Sequence, residues 1–170
     1  MNTNTLKINE LEYINFSTDK RLLYWFEGDK AFENMLDKKV KLLSNKSSMM
    51  VWLYIFGEEV QAHTQWFVED HWMNHTEKKC ININWNHYSH QTKKIIEEAL
   101  KRNFSYKLEN KVFFFNAPMQ IIETTWEVFI QYWDEFFNYD DEAFIWCFDQ
   151  TEVLMITPHG DIVKYFKPTE

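Results

Sequence analysis

The sequence predicts an α+β fold, in which a mainly antiparallel sheet is built from hairpins and packed by about three to four helices. Segments with strand-like alternation or short apolar runs are interleaved with segments of helical spacing, and turn residues separate them. The 170 residues include only three glycines. A GxGxxG turn or a phosphate-binding P-loop needs several glycines close together, so the usual nucleotide-binding folds are excluded.

The first quarter of the chain predicts a strand followed by helical structure. Glu10–Phe16 alternates loosely between apolar and polar residues, as a first strand does. Lys20–Leu43 carries apolar residues at helical spacing and follows residues that can cap a helix N-terminus. The polar cluster Ser44–Ser48 is typical of a loop.

The next segment, Met49–Val68, predicts a hairpin. Met49–Phe56 is a continuous apolar run rich in strand-forming residues, which favours a strand buried on both faces. Apolar and polar residues then alternate up to Val68, as in a half-exposed strand. A helix that starts at Glu58 is the alternative, because Ala62 and Trp66 also fit helical spacing.

Further strands and one helix are predicted in the second half of the chain. Cys80–Asn86 alternates as a strand does, and Ser89 can cap a helix that extends to Arg102 or Asn103. The pair Glu109-Asn110 separates two strand-like segments and so predicts a hairpin. The strands predicted from there onward are Phe104–Leu108, Lys111–Phe115, Ala143–Phe148, Glu152–Ile156 and Ile162–Phe166.

The clearest helix is predicted over Trp126–Phe137. Thr124 and Glu127 have the spacing of a capping box. Large apolar residues then recur at i, i+3, i+4 and i+7, which indicates one buried face. Asp134 and Glu135 fall near the C-terminal end of this helix, where the helix dipole disfavours acids. The apolar residues are Trp126, Phe129, Ile130, Trp133, Phe136 and Phe137.

The composition predicts a single domain over residues 1–170. A hydrophobic share of 45% and an aromatic share of 18% supply a core that needs no disulfide. Cys80 and Cys147 match no metal-ligand spacing, and Cys147 is expected to be buried and structural. Two lysines before Cys80 can lower the pKa of its thiol, although the start of a strand is the simpler interpretation of this position. The N-terminus lacks an apolar signal core, and no apolar run approaches the ~18 residues of a membrane span. The cytoplasm is therefore the default compartment.

The charge of the chain is concentrated near its C-terminus. Residues 123–170 contain eleven acids and two bases, a net charge of −9, whereas the whole chain carries −8. A field of this sign attracts basic partners and repels nucleic acid, although a solvated surface that aids solubility is an equal reading. The densest basic stretch, Lys38–Lys41, is interpreted as a solvated helix face. Nucleic acid is therefore not an expected partner.

Two histidines offer a candidate metal site, and the histidines keep an enzyme open as the alternative function. His71 and His75 are four residues apart and would share one face of a helix. The zinc-protease motif needs a glutamate directly after the first histidine, and Trp72 occupies that position. Surface histidines are the simpler interpretation, so no metal and no cofactor are predicted. A site assembled around His63, His71, His75 and His87 would make the protein a metal-dependent or hydrolytic enzyme.

The layout resembles immunity proteins of bacterial polymorphic-toxin systems, including those of contact-dependent inhibition. The hairpin Met49–Val68, the aromatic helix Trp126–Phe137 and the C-terminal strands from Ala143 to Phe166 carry the resemblance, together with small size, acidity and the lack of a catalytic motif. The resemblance implies a non-catalytic protein that neutralises a basic, nuclease-like toxin domain. A scaffolding domain that binds a neutral partner through exposed aromatic residues is a further alternative.

An inhibitor of this kind would present carboxylates where the toxin binds phosphates. The acids that follow the middle of the aromatic helix are the candidate surface, and a large aromatic residue beside them would be its anchor. The predicted contact residues are Asp134, Glu135, Asp140, Asp141 and Glu142, with Tyr139 or Trp146 as the anchor.

Overall fold

A computed structural model gives the fold and describes residues 6–15, 38–57, 70–76, 78–82, 90–104, 106–117, 119–139, 143–148, 150–157 and 161–168. These ranges contain eight strands and five α-helices, which confirms the predicted α+β class. The strands are β1 (Tyr13–Ile14), β2 (Lys41–Leu43), β3 (Lys78–Asn82), β4 (Lys111–Ala117), β5 (Gln120–Thr125), β6 (Phe144–Cys147), β7 (Glu152–Ile156) and β8 (Asp161–Phe166). The helices are α1 (Asn45–Phe56), α2 (Trp72–His75), α3 (His90–Asn103), α4 (Trp126–Gln131) and α5 (Trp133–Tyr139).

All eight strands belong to one sheet, and each pairing is antiparallel. The order across the sheet is β1-β2-β5-β4-β6-β7-β8-β3. The pairs β4–β5, β6–β7 and β7–β8 join strands that are consecutive in the chain, as hairpins do. Strands from the first half of the chain complete the two sides, with β1 outermost on one side and β3 on the other.

Helices pack on both faces of the sheet. Residues of α3, α4 and α5 form one core cluster with the sheet, and residues of α1 and α2 form a second. Successive residues of β4 enter different clusters: Val112 and Phe114 the first, Phe113 and Phe115 the second. Both faces of β4 are therefore buried, which explains why its sequence is continuously apolar rather than alternating. None of the described helices combines the length and the apolar character needed to cross a bilayer.

The segment Met49–Phe56 belongs to helix α1, so the predicted hairpin is wrong in its first strand. The hydroxyl of Ser44 accepts a hydrogen bond from the Ser47 amide at 3.2 Å and caps the helix N-terminus. The residues read as a loop, Ser44–Ser48, therefore contain the cap and the first turn. The helix ends at Gly57, whose φ of 87° suits a residue without a side chain.

Apolar residues on the exposed face of α1 make its helical period hard to recognise in the sequence. Its inner residues Val51, Trp52, Ile55 and Phe56 are buried, but the outer residues include large apolar side chains. Met50, Leu53 and Tyr54 are 38%, 38% and 36% exposed. Because apolar residues occupy both faces, the run is as continuous as that of a buried strand. The second half of the predicted hairpin, and the alternative helix from Glu58, lie outside the described residues up to position 69.

The hairpin in the middle of the chain uses a different pair of strands from the predicted pair. Strand β4 pairs with β5 in a register that places Lys111 opposite Thr125. Strand β5 was not predicted from the sequence. In the predicted strand Phe104–Leu108, the described residues 104 and 106–108 form no strand. Its residues Phe104 and Tyr106 instead pack their rings against Trp126, at centroid distances of 5.8 and 5.0 Å.

The predicted helix Trp126–Phe137 is two consecutive helices, α4 and α5, separated at Tyr132. The predicted buried face is confirmed for its described side chains, because Trp126, Phe129, Ile130, Trp133 and Phe136 all lie in the first core cluster. The cap is Thr125 rather than Thr124, since its hydroxyl accepts from the Val128 amide at 3.3 Å.

Because a new helix, α5, begins at Trp133, two acids lie near a helix N-terminus. Asp134 and Glu135 lie in the first turn of α5, where the helix dipole favours negative charge. They do not lie at a disfavoured C-terminal end, as the single predicted helix implied.

The remaining strands and the long helix agree with the sequence in their described parts. β1, β3, α3, β6, β7 and β8 occupy segments predicted as such, although residues 83–86 and 89 lie outside the described ranges. On α3, Ile96 and Leu100 are buried as predicted, whereas Ile95 is 54% exposed. The helical prediction over Lys20–Leu43 is wrong at its end, because Lys41–Leu43 forms β2.

Candidate functional site

The outer face of α4 and α5 presents acidic and polar side chains. Glu127, Gln131 and Glu135 follow one another at a spacing of four residues. Glu127 and Gln131 are exposed and Glu135 is half-buried, while the core residues of the same helices point to the sheet. Asp140, Asp141 and Glu142 directly follow α5 in the chain, outside the described residues. We refer to Glu127, Glu135, Asp140, Asp141 and Glu142 as the acidic set.

Asp134 does not lie on the exposed rim that the sequence predicted. Its side chain is only 6% exposed, and its Oδ2 accepts a hydrogen bond from the Lys93 ammonium of α3 at 2.9 Å. An ionised carboxylate is stable in such a place only when it is paired, so Lys93 fixes the inward orientation of Asp134. This ion pair joins α3 to α5.

The predicted anchor Trp146 is likewise directed into the core. It is 2% exposed and stacks on Phe113 with a centroid distance of 5.6 Å. Its indole N–H donates to the carbonyl of Gln150 at 2.9 Å. The ring is therefore covered and its polar atom is used within the chain. Tyr139 is the last residue of α5, and its side chain lies outside the described part of the structure.

Three acids of the C-terminal quarter point into the protein. Glu123, Asp134 and Glu152 have side chains that are 5%, 6% and 20% exposed. Each forms an ion pair with a lysine: Lys111 at 3.2 Å for Glu123, Lys93 at 2.9 Å for Asp134 and Lys164 at 2.9 Å for Glu152. A net charge counted along the sequence therefore includes acids that are already paired with lysines of the same chain.

Glu123 is the centre of a polar cluster that spans four adjacent strands. Its Oε2 accepts a hydrogen bond from the Tyr13 hydroxyl of β1 at 2.6 Å. The ammonium of Lys111 in β4 lies 3.2 Å from Oε1, and that of Lys41 in β2 lies 4.0 Å from the same atom. Lys41 is also 5.0 Å from the centroid of the Tyr13 ring. Burial first, and then the bonded Glu123 carboxylate, raise the pKa of Tyr13 above its ordinary value.

This cluster was not predicted from the sequence, although a charged residue within an apolar run indicates it. Glu123 stands in the middle of the run Ile121-Ile122-Glu123-Thr124, where a strand buried on both faces has no ordinary place for a charge. Lys41 and Lys111 each begin a strand, and apolar residues follow each of them directly. A charged residue in such a strand needs a partner of opposite charge on a neighbouring strand. Which strands are neighbours is a tertiary property, and β5 itself was not predicted.

A second buried polar cluster lies on the other face of the sheet, around Lys164. This ammonium donates to Glu152 at 2.9 Å and to the carbonyl of Asn103, the last residue of α3, at 2.9 Å. It also lies 4.4 Å from the centroid of the Phe104 ring. Cations stabilise the C-terminal carbonyls of a helix, so Lys164 ties the end of α3 to β7 and β8.

The Tyr106 hydroxyl is buried close to Glu152. Burial first, and then the negative charge of Glu152, raise the pKa of Tyr106 far above its ordinary value. Among the described residues, neither this hydroxyl nor Glu152 Oε2 has a well-formed hydrogen bond. The negative charge of Glu152 thus acts on a hydroxyl that is buried beside it.

The histidine candidates do not converge in the described part of the chain. His71 is buried, and its Nδ1 accepts from the Met73 amide at 3.3 Å while its Nε2 lies 2.7 Å from the Phe56 carbonyl. Both ring nitrogens are therefore engaged with the main chain, which leaves neither for a metal. His75 is exposed at the end of α2. His63 and His87 lie outside the described residues, and no group of three potential ligands occurs within them.

The two cysteines occupy different environments. Cys147 is fully buried, as predicted, and the Asn110 amide lies 3.5 Å from its sulfur. Cys80 is exposed on β3. Its pKa is raised, first by the slight burial of the thiol and second by the negative charge of Asp161, which is opposite to the lowering that the two lysines before it could cause.

Comparison with known protein families places the chain in one of them. A family model described as "Protein of unknown function (DUF2947)" matches residues 13–164. The chain belongs to the DUF2947 family. The matched region begins at Tyr13 and ends at Lys164, so it contains both buried polar clusters and the outer face of α4 and α5. No curated protein and no solved structure matches this family member.

Proposed function

We propose that this DUF2947 member is a non-catalytic protein that binds a basic partner protein through the acidic set. The partner that fits the resemblance to immunity proteins is a nuclease-like toxin domain, whose cationic surface would otherwise hold phosphates. The acidic set then neutralises that surface. The outer face of α4 and α5 is the part of this surface that the structure describes.

The observation that carries the proposal is the charge that remains after the internal ion pairs are removed. Glu123, Asp134 and Glu152 are neutralised by Lys111, Lys93 and Lys164, so these three pairs contribute nothing to the net charge of −8. Within residues 123–170 the same removal leaves eight acids and one base, a net charge of −7. Among these acids, Glu127 is exposed and Glu135 is half-buried on the outer face of α4 and α5. A surface of this sign steers a basic partner toward it.

The helical positions support Glu127 and Glu135 as contacts instead of Asp134 and Trp146. The side chains of Asp134 and Trp146 are both nearly covered. Glu127 is exposed and lies in the first turn of α4, and Glu135 lies in the first turn of α5. Both helices are held in place by their buried aromatic residues, which gives the acids a rigid support.

The test begins with capture of a basic partner on the tagged full chain at low salt, followed by kinetics with the purified partner. Neutralisation of the acidic set (E127Q, E135Q, D140N, D141N and E142Q) should slow association at least about tenfold and flatten its dependence on salt. D70N/E98Q is the control, because Asp70 and Glu98 are exposed acids outside α4 and α5. Equal association rates for the five-fold variant and the wild type would refute the proposal.

A further inference from the structure

The surface around Glu123 is positively charged, although the molecule as a whole is acidic. Lys41 and Lys111 have side chains that are 55% and 44% exposed, although both contact a carboxylate that is only 5% exposed. Lys38 and Lys39, just before β2, are also exposed. They lie beside β5, because the Thr124 hydroxyl donates to the Lys39 carbonyl at 3.0 Å. Four lysines and one buried acid give this place a local charge of +3.

The two outer lysines are close enough to contact one small anion. Both ammonium nitrogens approach Glu123 Oε1, Lys111 at 3.2 Å and Lys41 at 4.0 Å. Their mutual distance therefore cannot exceed the sum of these values, 7.2 Å. A phosphate group placed between them can bond one ammonium on each side, since charge-assisted N–H···O bonds are about 2.7–2.9 Å long.

One carboxylate does not satisfy two ammonium groups. Glu123 carries a single negative charge, so the pair of lysines keeps one positive charge in excess. Each ammonium has three N–H donors, and a single contact with one oxygen does not exhaust them. The exposed fractions of both side chains show that the remaining donors have access to solvent. Only one of the two lysines is needed to neutralise Glu123.

Tyr13 holds this arrangement in a fixed geometry. Its hydroxyl is bound to Glu123 Oε2 at 2.6 Å, and its ring lies under the ammonium of Lys41 at 5.0 Å. Lys41 is therefore positioned by a carboxylate on one side and an aromatic face on the other. Such positioning lowers the side-chain entropy that a lysine loses when it binds an anion. The nearby acid Glu12 is itself 3.8 Å from Lys46.

From this geometry we infer that Lys41 and Lys111, seated on Glu123, form a binding site for a phosphate group. With Lys38 and Lys39 the local charge is +3, which a phosphate dianion neutralises more fully than a singly charged carboxylate does. Lysine is a common point-charge ligand of phosphate. The site is independent of the acidic set, since it lies on the opposite face of the sheet from α4 and α5. The shared chemistry is that of inorganic phosphate and of a phosphate monoester.

The test is a titration of the full chain with inorganic phosphate at constant ionic strength. Calorimetry and 31P line broadening measure the binding. Saturable binding at one site is expected. K41Q and K111Q should each weaken it about tenfold, and the double variant should abolish it. K94Q is the control, because Lys94 is an exposed lysine on α3. Circular dichroism verifies that each variant is folded.

A second arm compares inorganic phosphate with O-phosphoserine. Tighter binding of the phosphoamino acid would assign the site to a phosphorylated side chain, and equal or weaker binding would assign it to free phosphate. Absence of saturable phosphate binding by the wild type overturns the inference. Undiminished binding by folded K41Q/K111Q overturns it as well, since the anion would then bind elsewhere.

Discussion

The hydroxyl of Tyr13 lies 2.6 Å from Oε2 of Glu123, although 110 residues separate them in the chain. Strand β2 lies between the strands that carry them, so the bond crosses one strand of the sheet. β1 contains only two residues, and both are exposed. The bond is therefore a principal side-chain link between this edge strand and the rest of the sheet.

Removal of the Tyr13 hydroxyl should weaken that edge. Tyr13→Phe leaves the buried Glu123 carboxylate with one donor fewer, and the expected loss in the free energy of unfolding is about 1–2 kcal/mol. Urea denaturation measures it. Tyr54→Phe is the matched control, because Tyr54 is also 36% exposed and its described side-chain contacts, with Lys167 and Trp146, are made by its ring. Equal losses in the two variants would contradict the role of the bond.

Stability should fall at alkaline pH, with Tyr106 as one cause. The pKa of Tyr106 in the folded protein is raised above the ordinary value of about 10, by burial first and by Glu152 second. Below pH about 9 the hydroxyl is protonated in both states, so this contribution is fully present. Above pH about 10 the unfolded chain releases a proton that the folded protein keeps, which costs ~1.4 kcal/mol per pH unit.

Tyr106→Phe isolates this contribution. Its free energy of unfolding should fall less steeply than that of the wild type above pH about 10, while the difference between the two proteins stays constant below pH about 9. Denaturation curves at several pH values measure both slopes. Parallel curves over the whole range would show that Tyr106 ionises in the folded protein as readily as in the unfolded chain.

The ion pair of Lys93 and Asp134 should show strong coupling. Lys93→Met leaves a carboxylate that is 6% exposed without this cation, and the expected cost is about 3 kcal/mol. The double variant K93M/D134L removes both charges and should be more stable than K93M. Lys94→Met, the exposed neighbour on α3, should change stability by less than ~0.5 kcal/mol. A double-mutant cycle without coupling would mean that Asp134 is held by other groups.

The N-cap of α1 gives a direct test of the corrected secondary structure. Ser44→Ala removes the acceptor of the Ser47 amide and should cost about 1 kcal/mol, while Ser44→Asp keeps an acceptor and should cost less. Hydrogen exchange at the Ser47 amide should accelerate in Ser44→Ala alone. Unchanged exchange in that variant would argue against a helix that begins at Asn45.

Local patterns in the sequence predicted several elements well. The inward residues of α4 and α5 recur at helical spacing, and β7 was predicted with its observed bounds, Glu152–Ile156. Such periodicity is a property of neighbouring residues and needs no knowledge of the fold. The break at Tyr132 left no local trace, because the apolar spacing continues across it.

Elements with apolar residues on both sides were harder to predict. β5 carries Ile121 and Ile122 into different core clusters, and α1 exposes Met50 and Leu53 outside its buried face. Neither pattern has the clear period that separates strand from helix. For α1, the Ser44 cap stabilises the N-terminus, but most of the stability of the helix comes from the packing of its buried face.

The sequence by itself determined the α+β class, the buried face of α4 and α5, and the excess of acids near the C-terminus. Only the tertiary structure decided which of those acids face outward. Asp134 turns to Lys93, Glu152 to Lys164, and Glu123 to lysines from two other strands. The physical reason is that a charge stays buried only beside a partner. Lys93 for Asp134 and Lys41 for Glu123 come from distant parts of the chain, and the packing of the sheet and helices alone brings these partners together.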